Sequence, residues 1–498
     1  MSPASSSFQE AHQHSLNKVW KSLVFPTIKL TNLFSLFLKV SLALCIFFII
    51  TLFFYISLPH YPRNYHYIPF IHPHHSTTFQ NNEPTNISHI VFGIGGSANS
   101  WQNRRHYTEL WWQPNVTRGF MWLDLSIPNT ETWPETLPSY RVSGDTTSFK
   151  YTHEVGSRSA IRLARILKET FQLGLENVRW FVMGDDDTVF FKENLVTVLA
   201  KYDHNEMYYI GGNSESVEQN VALTYDMAYG GGGFAVSYPL AAALVKILDG
   251  CINRYAALFG SDMKVQACIS EIGVRLTKEL GFHQTDIRGK LYGLLTAHPM
   301  APLVSLHHLD LVEPLFLDST RVESLKKFVS AYKKDPGRTL QKSICYDPIR
   351  NWTVSVSWGY NVELYRSLQT PSELETPFRT FSTWRGHDDP FTFNTRPVIL
   401  NPCDRPMTFF LDRVEDVGPG EWTQSSYKLY DDVKKFNCSV PLVEVQYVNV
   451  TASYFVPELW QKAPRRQCCD IIEGKDEANN VIQVEIRGCH RFESVTPP

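Results

Sequence analysis

The chain has 498 residues, 43% of them hydrophobic and 19% charged, which excludes a disordered chain or a small disulfide scaffold and leaves apolar material for one sizeable core or two. Its 47 Lys and Arg against 50 Asp and Glu give a formal net charge of −3, without the basic excess that binding a phosphate backbone needs. Nucleic acid is therefore not expected as a partner.

In chain order, residues 1–39 read as a cytosolic tail and Val40–Leu58, VSLALCIFFIITLFFYISL, as a transmembrane signal-anchor, because this uncharged run is long enough to cross a bilayer as a helix. Lys18, Lys21, Lys29 and Lys39 precede it and only Arg63 follows closely, which orients the N-terminus to the cytosol and the body to a lumen or the outside. The run begins too far from Met1 for a cleaved signal peptide, and no small-residue cleavage site follows it. Residues 59–85, rich in Pro, His and Asn, read as a stem; His72, His74 and His75 belong to that linker rather than to a metal site.

The sequons at Asn86, Asn115, Asn351, Asn437 and Asn449 all follow the anchor, as glycosylation in a lumen requires. Cys45 falls in the span. Cys251, Cys268, Cys345, Cys403, Cys438, Cys468, Cys469 and Cys489 lie beyond it, an even set suited to disulfides in an oxidising compartment, with the connectivity left open.

Residues 86–320 are expected to form an α/β domain. HIVFGIGG (His89–Gly96) reads as a buried strand ending in glycines, FMWLDLSI (Phe120–Ile127) as a second, and VRWFVM (Val178–Met183) as a third. His153–Phe171 has helical spacing, with Arg158, Arg162, Arg165 and Glu169 on a face expected to be solvated. A helix over Lys192–Tyr202, a strand at Met207–Ile210, the turn YGGGGFAVS and a helix from Pro239 to about Asp249-Gly250 follow. Alternating strands and helices imply a largely parallel sheet that binds ligands at the carboxyl ends of its strands. Trp111 and Trp112 are expected in the core. From residue 321 to 498 the pattern changes to short alternating runs such as WTVSVSWGY and MTFFLDRV, a strand-rich module that carries six of the eight lumenal cysteines.

The sharpest chemical feature is Asp185-Asp186-Asp187, between the apolar WFVM and TVFF. Three consecutive carboxylates at a strand tip repel one another and do no packing; a divalent cation removes the conflict, and oxygen ligands favour Mg²⁺ or Mn²⁺ over zinc. The same acids, followed by Thr188 and Val189, also fit the nucleophile motif of aspartate-dependent phosphatases, although that motif normally follows a domain's first strand and here much α/β sequence precedes it.

WFVMGDDDTVFF, YGGGGFAVSYPLA, FGSDMKVQACISEIGV and LGFHQTDIRGKLYGLL, in this order, resemble the fringe and β1,3-galactosyltransferase group of inverting glycosyltransferases. They are most similar to its plant branch, which carries an extra C-terminal region. The resemblance implies a GT-A fold and transfer of a sugar from a UDP-sugar to a glycan or glycoprotein hydroxyl, in a β1,3 linkage, with Mn²⁺ or else Mg²⁺. It also implies a single-pass type II protein of the Golgi membrane. Asp187 would be the main metal ligand, with Asp185 and Asp186 touching ribose, sugar or metal-bound water. His307 in PLVSLHHLD would be the second ligand, although Leu306 replaces the family's aromatic, and His308 and His283 are the fallbacks. Asp262 falls where the family places the general base, with Met263 in the position of the usual second acid. The glycine turn, Gly231, Gly232 and Gly233 above all, and Arg104 and Arg105 after the first strand would contact the donor. The alternative, for which Met263 is the only sequence hint, is a carbohydrate-binding or scaffold protein of the same fold without turnover.

Overall fold

The computed structural model describes residues 30–57, 83–384, 394–419, 421–430, 445–472 and 480–498, with side chains described only at 37–51 in the first stretch. The chain divides into two units, Met1–Asn81 and Asn82–Pro498. In the first, helix α1 (Leu30–Ser57) takes in the expected span except Leu58, which lies outside the described residues with most of the stem and its histidines. Among the described residues no helix is long and apolar enough to cross a membrane, so the expected transmembrane helix is not reproduced. The side chains described there cover fewer than the roughly 20 residues that a crossing takes.

The second unit is built on a seven-stranded sheet. Its strands are β1 (Ile90–Gly95), β2 (Arg118–Leu123), β3 (Tyr140–Val142), β4 (Trp180–Asp185), β6 (Tyr209–Gly211), β7 (Phe234–Ser237) and β8 (Leu276–Lys278), in the order β3-β2-β1-β4-β7-β6-β8. Short β5 (Val189–Phe190) pairs outside it with β11 (Ser305–Leu306), which also joins β9 (Phe282–His283). Strands β1 to β4 run parallel, with every residue of β1 buried, as a continuous apolar run between two covered faces requires. The sheet is mixed because β7 lies antiparallel between β4 and β6. Met183, near the end of β4, therefore pairs with Phe234 at the start of β7, and the glycine turn before β7 arrives beside the three acids after β4.

Helices α2 (Trp101–Glu109), α3 (Ser159–Phe171), α4 (Lys192–Leu199), α5 (Tyr238–Arg254) and α6 (Ser261–Ile272) surround the sheet. Two expectations about them fail for tertiary reasons. Arg158, just before α3, is exposed as expected, but the rest of the polar stripe is not solvated: Arg162 donates to the Gly96 and Trp122 carbonyls at strand ends, Arg165 pairs with Asp249 and Glu169, and Glu169 is buried. Gly250 does not end α5, which continues through buried Cys251 and Ile252 and is tied to α6 by the Cys251–Cys268 disulfide.

Beyond α7 (Arg321–Lys334) an eight-stranded sheet follows: β12 (Lys342–Asp347), β13 (Trp352–Ser357), β14 (Asn361–Tyr365), β16 (Met407–Val417), β17 (Trp422–Leu429), β18 (Tyr447–Ser453), β20 (Val481–Arg487) and β19 (Cys468–Ile472), named in spatial order. All neighbours are antiparallel except β18 and β20. The two sheets share one core, which runs from Ile90 and Phe92 through Phe191, Phe328 and Tyr332 to Trp358, Val450 and Ile486. A second cluster fills the other face of the first sheet with α3, α5 and α6. The C-terminal module also lends β15 (Phe381–Thr383) to β10 (Ile287–Gly289). Disulfides Cys345–Cys469 and Cys468–Cys489 close this region; Cys403 is also disulfide-bonded, and Cys438 lies outside the described residues.

A buried ion pair ties α7 to the second sheet. Arg338 donates to Asp335 at 2.9 Å, to the Gln467 side chain and to the Ser453 carbonyl, while Asp335 accepts the Phe455 N–H. Both side chains are almost fully buried, so Arg338→Ala would strand a carboxylate and is expected to lower stability by about 3–5 kcal/mol. Denaturant titration checks this, and an unchanged midpoint would show that the pair does no structural work.

Of the sequons, Asn115 and Asn351 are exposed at positive φ, Asn86 caps a 3-10 turn, Asn449 is half-buried in β18, and Asn437 lies outside the described residues.

Candidate functional site

Strand β4 ends at Asp185, and the chain turns at once through Asp186 and Asp187 into β5. Thr188 holds the turn: its hydroxyl accepts the Asp185 N–H at 2.9 Å and donates to the Gly231 carbonyl at 2.7 Å. One side chain thus joins the acidic turn to the glycine turn, a role the sequence did not signal.

Asp187 is buried with its Oδ1 3.0 Å from His307 Nε2, and Asp185 Oδ2 is 3.9 Å from the same nitrogen. Arg104, from α2, reaches Asp186 at 2.8 Å, Asp187 at 3.3 Å and Asp310 at 3.9 Å. Burial opposes the charge on Asp187, but His307 and Arg104 outweigh it and hold the carboxyl well below the usual range. Burial likewise opposes protonation of His307, yet Asp187 raises it to about 9. Loss of hydration and the charges of Asp187, Asp186 and Asp262 push Asp185 up to about 7. Its side chain keeps 37% of its surface, so the neighbouring carboxylates contribute beside the loss of hydration. Adjacent acids shifted in opposite directions by burial and by specific charge partners are typical of functional sites.

The glycine turn packs on this cluster. A Cβ on Gly231 would fall inside the His307 ring, Gly232 lies against the Gln284 backbone, and Gly233 has φ +83° with Phe190 beside it. The backbone thus comes close to protein atoms on this side. Gly230 donates its N–H to Asp262 Oδ2 at 2.9 Å, and the Ser261 hydroxyl donates to Oδ1 at 3.0 Å. Asp262 stands in the first turn of α6 but makes no capping bond to that helix; it is aimed at the glycine turn.

The structure sorts the remaining candidates. His308 turns to Asp286 at 3.0 Å, and His283 lies between Glu215 at 2.9 Å and His298 at 3.0 Å, so His307 is the one of the three whose ring is paired with Asp185 and Asp187. Arg105 is exposed and paired with Glu109, apart from the acids that Arg104 holds. Trp111 lies in the core and donates to the Thr188 carbonyl, with Trp112 packed at its edge. Two further residues escaped sequence reasoning. Asp310 accepts from the buried Tyr107 hydroxyl and faces Arg104, and Trp384, from the C-terminal module, stacks on His308 at 4.6 Å. Asp310 ends the PLVSLHHLD stretch, of which only the histidines were read, and Trp384 lies in no motif and comes from a segment distant in sequence.

Asp185, Asp187 and His307 place one donor atom each within 4.8 Å of one another. Two carboxylate oxygens and an imidazole nitrogen fit a divalent cation that accepts both, as Mn²⁺ does. Cys468, Cys489 and Glu493 also converge, but both sulfurs are committed to a disulfide.

A family described as Fringe-like matches residues 133–300, and one described as a protein of unknown function, DUF604, matches residues 219–469, half of the chain. The chain belongs to a fringe-related glycosyltransferase family with an additional region. The two matches overlap across the glycine turn and Asp262, and the longer crosses from the first sheet into the second, as the shared core does. No curated protein matches the chain. Membership supports a glycosyltransferase in general terms, and the longer match takes in the second sheet as far as the start of β19.

Proposed function

We propose that this fringe-related chain transfers a sugar from a UDP-sugar to a hydroxyl of a glycan or glycoprotein, with inversion and in a β1,3 linkage. The observation that carries the reading is the convergence of Asp185, Asp187 and His307 on one point, with Asp262 held across the glycine turn that carries His307 on its other side. Asp185, Asp187 and His307 would hold Mn²⁺, and the bound ion would supply charge neutralisation for the diphosphate as it leaves. Arg104 keeps Asp186 and Asp187 oriented. Asp262, fixed by the Gly230 N–H and the Ser261 hydroxyl, takes the acceptor's proton while that oxygen bonds to the anomeric carbon and the bond to UDP breaks on the opposite face. The acceptor gains the sugar, Asp262 the proton, and UDP leaves with the electron pair.

Asp262→Asn is expected to lower transfer by about 10²–10⁴-fold while UDP and Mn²⁺ still bind, because the amide keeps the shape and loses the basicity. UDP release by the full chain, with and without Mn²⁺, tests this across a panel of UDP-sugars. Transfer unchanged in the variant would remove Asp262 from the mechanism, and donor binding without UDP release would favour the carbohydrate-binding alternative. We place the body in the Golgi lumen, held by a type II anchor at Val40–Leu58, on the support of the uncharged run, the lysines before it and the disulfides beyond it.

A further inference from the structure

Away from this site, a cavity of about 270 Å³ opens between the Ala297–Met300 loop, the start of β12 and the segment from Phe455 to Gln467. None of the residues assigned above to metal, donor or base lines it. Four cations do, Arg338, Lys342, Arg465 and Arg466, against one carboxylate, Glu375. Arg338 is neutralised by Asp335 and Arg466 by Glu375, which leaves Lys342 and Arg465 without a carboxylate partner among the described residues.

Lys342 is the telling residue. It is 92% buried by its 8% exposure, and its ammonium donates to one acceptor, the Leu374 carbonyl at 2.7 Å, although it carries three N–H bonds. Burial lowers it to about 8, and the more distant charges of Glu363 and Glu375 do not offset the lost hydration. A buried cation with spare donors is costly unless something anionic satisfies it.

Three residues of the lining each carry a buried polar atom without a hydrogen-bond partner among the described residues: Trp460 Nε1, Arg466 Nε and His298 Nδ1. Trp460 and His298 are 5% and 6% exposed, so water reaches neither ring freely. The indole and guanidinium nitrogens can only donate, whereas the His298 nitrogen serves a hydroxyl in either tautomer. Pro299, Met300 and the stacked Phe455–Trp460 pair supply an apolar wall. Cationic donors, a partner for a hydroxyl and an apolar wall, in a volume below the roughly 300–1,000 Å³ of drug-sized pockets, describe a small hydroxylated ring that bears an anion.

We infer that this cavity is a second ligand site, for a single acidic sugar residue whose carboxylate or sulfate ester meets Lys342 and whose ring lies against Trp460. The anionic part stands on the cavity alone, while the identification of the ring as a sugar rests on the transferase reading. The carboxylate and sulfate forms share one chemistry, and the test separates them.

Calorimetric titration of the full chain with glucuronic acid, glucose 6-sulfate, glucose and inorganic sulfate decides it. At least one acidic sugar is expected to bind about tenfold or more tighter than either glucose or sulfate, and Lys342→Met and Trp460→Phe are each expected to weaken it by about tenfold. UDP release is expected to be unchanged in Lys342→Met. Trp460→Phe keeps an aromatic ring while removing the N–H and part of the indole, so it tests the site even if the lysine variant folds poorly. Glucose binding as well as the acids, sulfate alone binding as tightly, no binding of either acid at millimolar concentration, or full binding in both variants would each overturn the inference. Acid-sugar binding without UDP release would sink the transferase reading and leave the site standing; UDP release without acid-sugar binding would do the reverse.

Discussion

Asp187→Ala is expected to reduce sugar transfer by at least about a thousandfold and to abolish measurable Mn²⁺ binding. The reason is the position of this carboxylate more than its charge. Asp187 is the acid that touches both His307 at 3.0 Å and Arg104 at 3.3 Å, so its loss removes one donor and the contact that fixes a second. Asp185 is less tightly held, with its nearest oxygen 3.9 Å from the imidazole. The fold should survive, since the deletion also relieves repulsion among three adjacent carboxylates, although His307 is left without its partner and some stability is lost. Asp187→Asn separates shape from charge and is expected to fail in Mn²⁺ binding nearly as badly. Titration calorimetry with Mn²⁺ alone, beside UDP release, reads both effects. Transfer within about tenfold of the unchanged protein in Asp187→Ala would break the assignment of the site.

Gly231→Ala carries the second large effect, and the change is one methyl group. The added Cβ would overlap His307 Cε1, Nδ1 and Nε2, and the ring cannot retreat because it is buried against Asp187. Either the imidazole leaves its place or the turn moves and breaks the hydrogen bond from Thr188 to the Gly231 carbonyl. We expect transfer to fall by about 10²-fold or more and stability by about 1–3 kcal/mol, the usual cost of overpacking. Gly230→Ala is the control. Its Cβ would lie 3.6 Å from the Asp262 carboxyl carbon, ordinary contact, and the N–H donated to Asp262 is kept. Activity is expected to be little changed there, and equal losses in the two variants, read by UDP release and thermal unfolding, would mean that the turn is sensitive for reasons other than His307.

The same glycines show where reading the chain by itself stops. Four in a row announce a place where backbone must come close to something. What comes close is decided by the antiparallel insertion of β7, which returns the turn to the end of β4 and sets it under a histidine some seventy-six positions later, by subtraction of the numbers of Gly231 and His307. The arginines of α3 teach the same lesson from the other side. Their spacing describes a polar helix face, but that face meets strand-end carbonyls and Asp249 instead of water.

The C-terminal region was legible as strand-rich and cysteine-bearing, and it is both. Its relation to the catalytic fold was not. Phe328 and Tyr332 of α7 pack on Phe191, just past the acidic turn, and Trp384 reaches His308, so the C-terminal module buttresses the site through α7 and touches it through Trp384. Truncation at the composition change near residue 320 would therefore open the core that supports β5.

The sequence by itself determined the local chemistry of this protein: three carboxylates at the end of an apolar strand, a glycine turn, an aspartate at the start of a helix, and alternating strands and helices between them. These are legible because short-range periodicity and side-chain type do not depend on the rest of the chain. The tertiary structure alone decided which arginine holds the acids, what the glycines make room for, and that two sheets share one core. Each of those is a pairing between residues far apart in sequence, fixed by strand order and packing, and no local pattern encodes it.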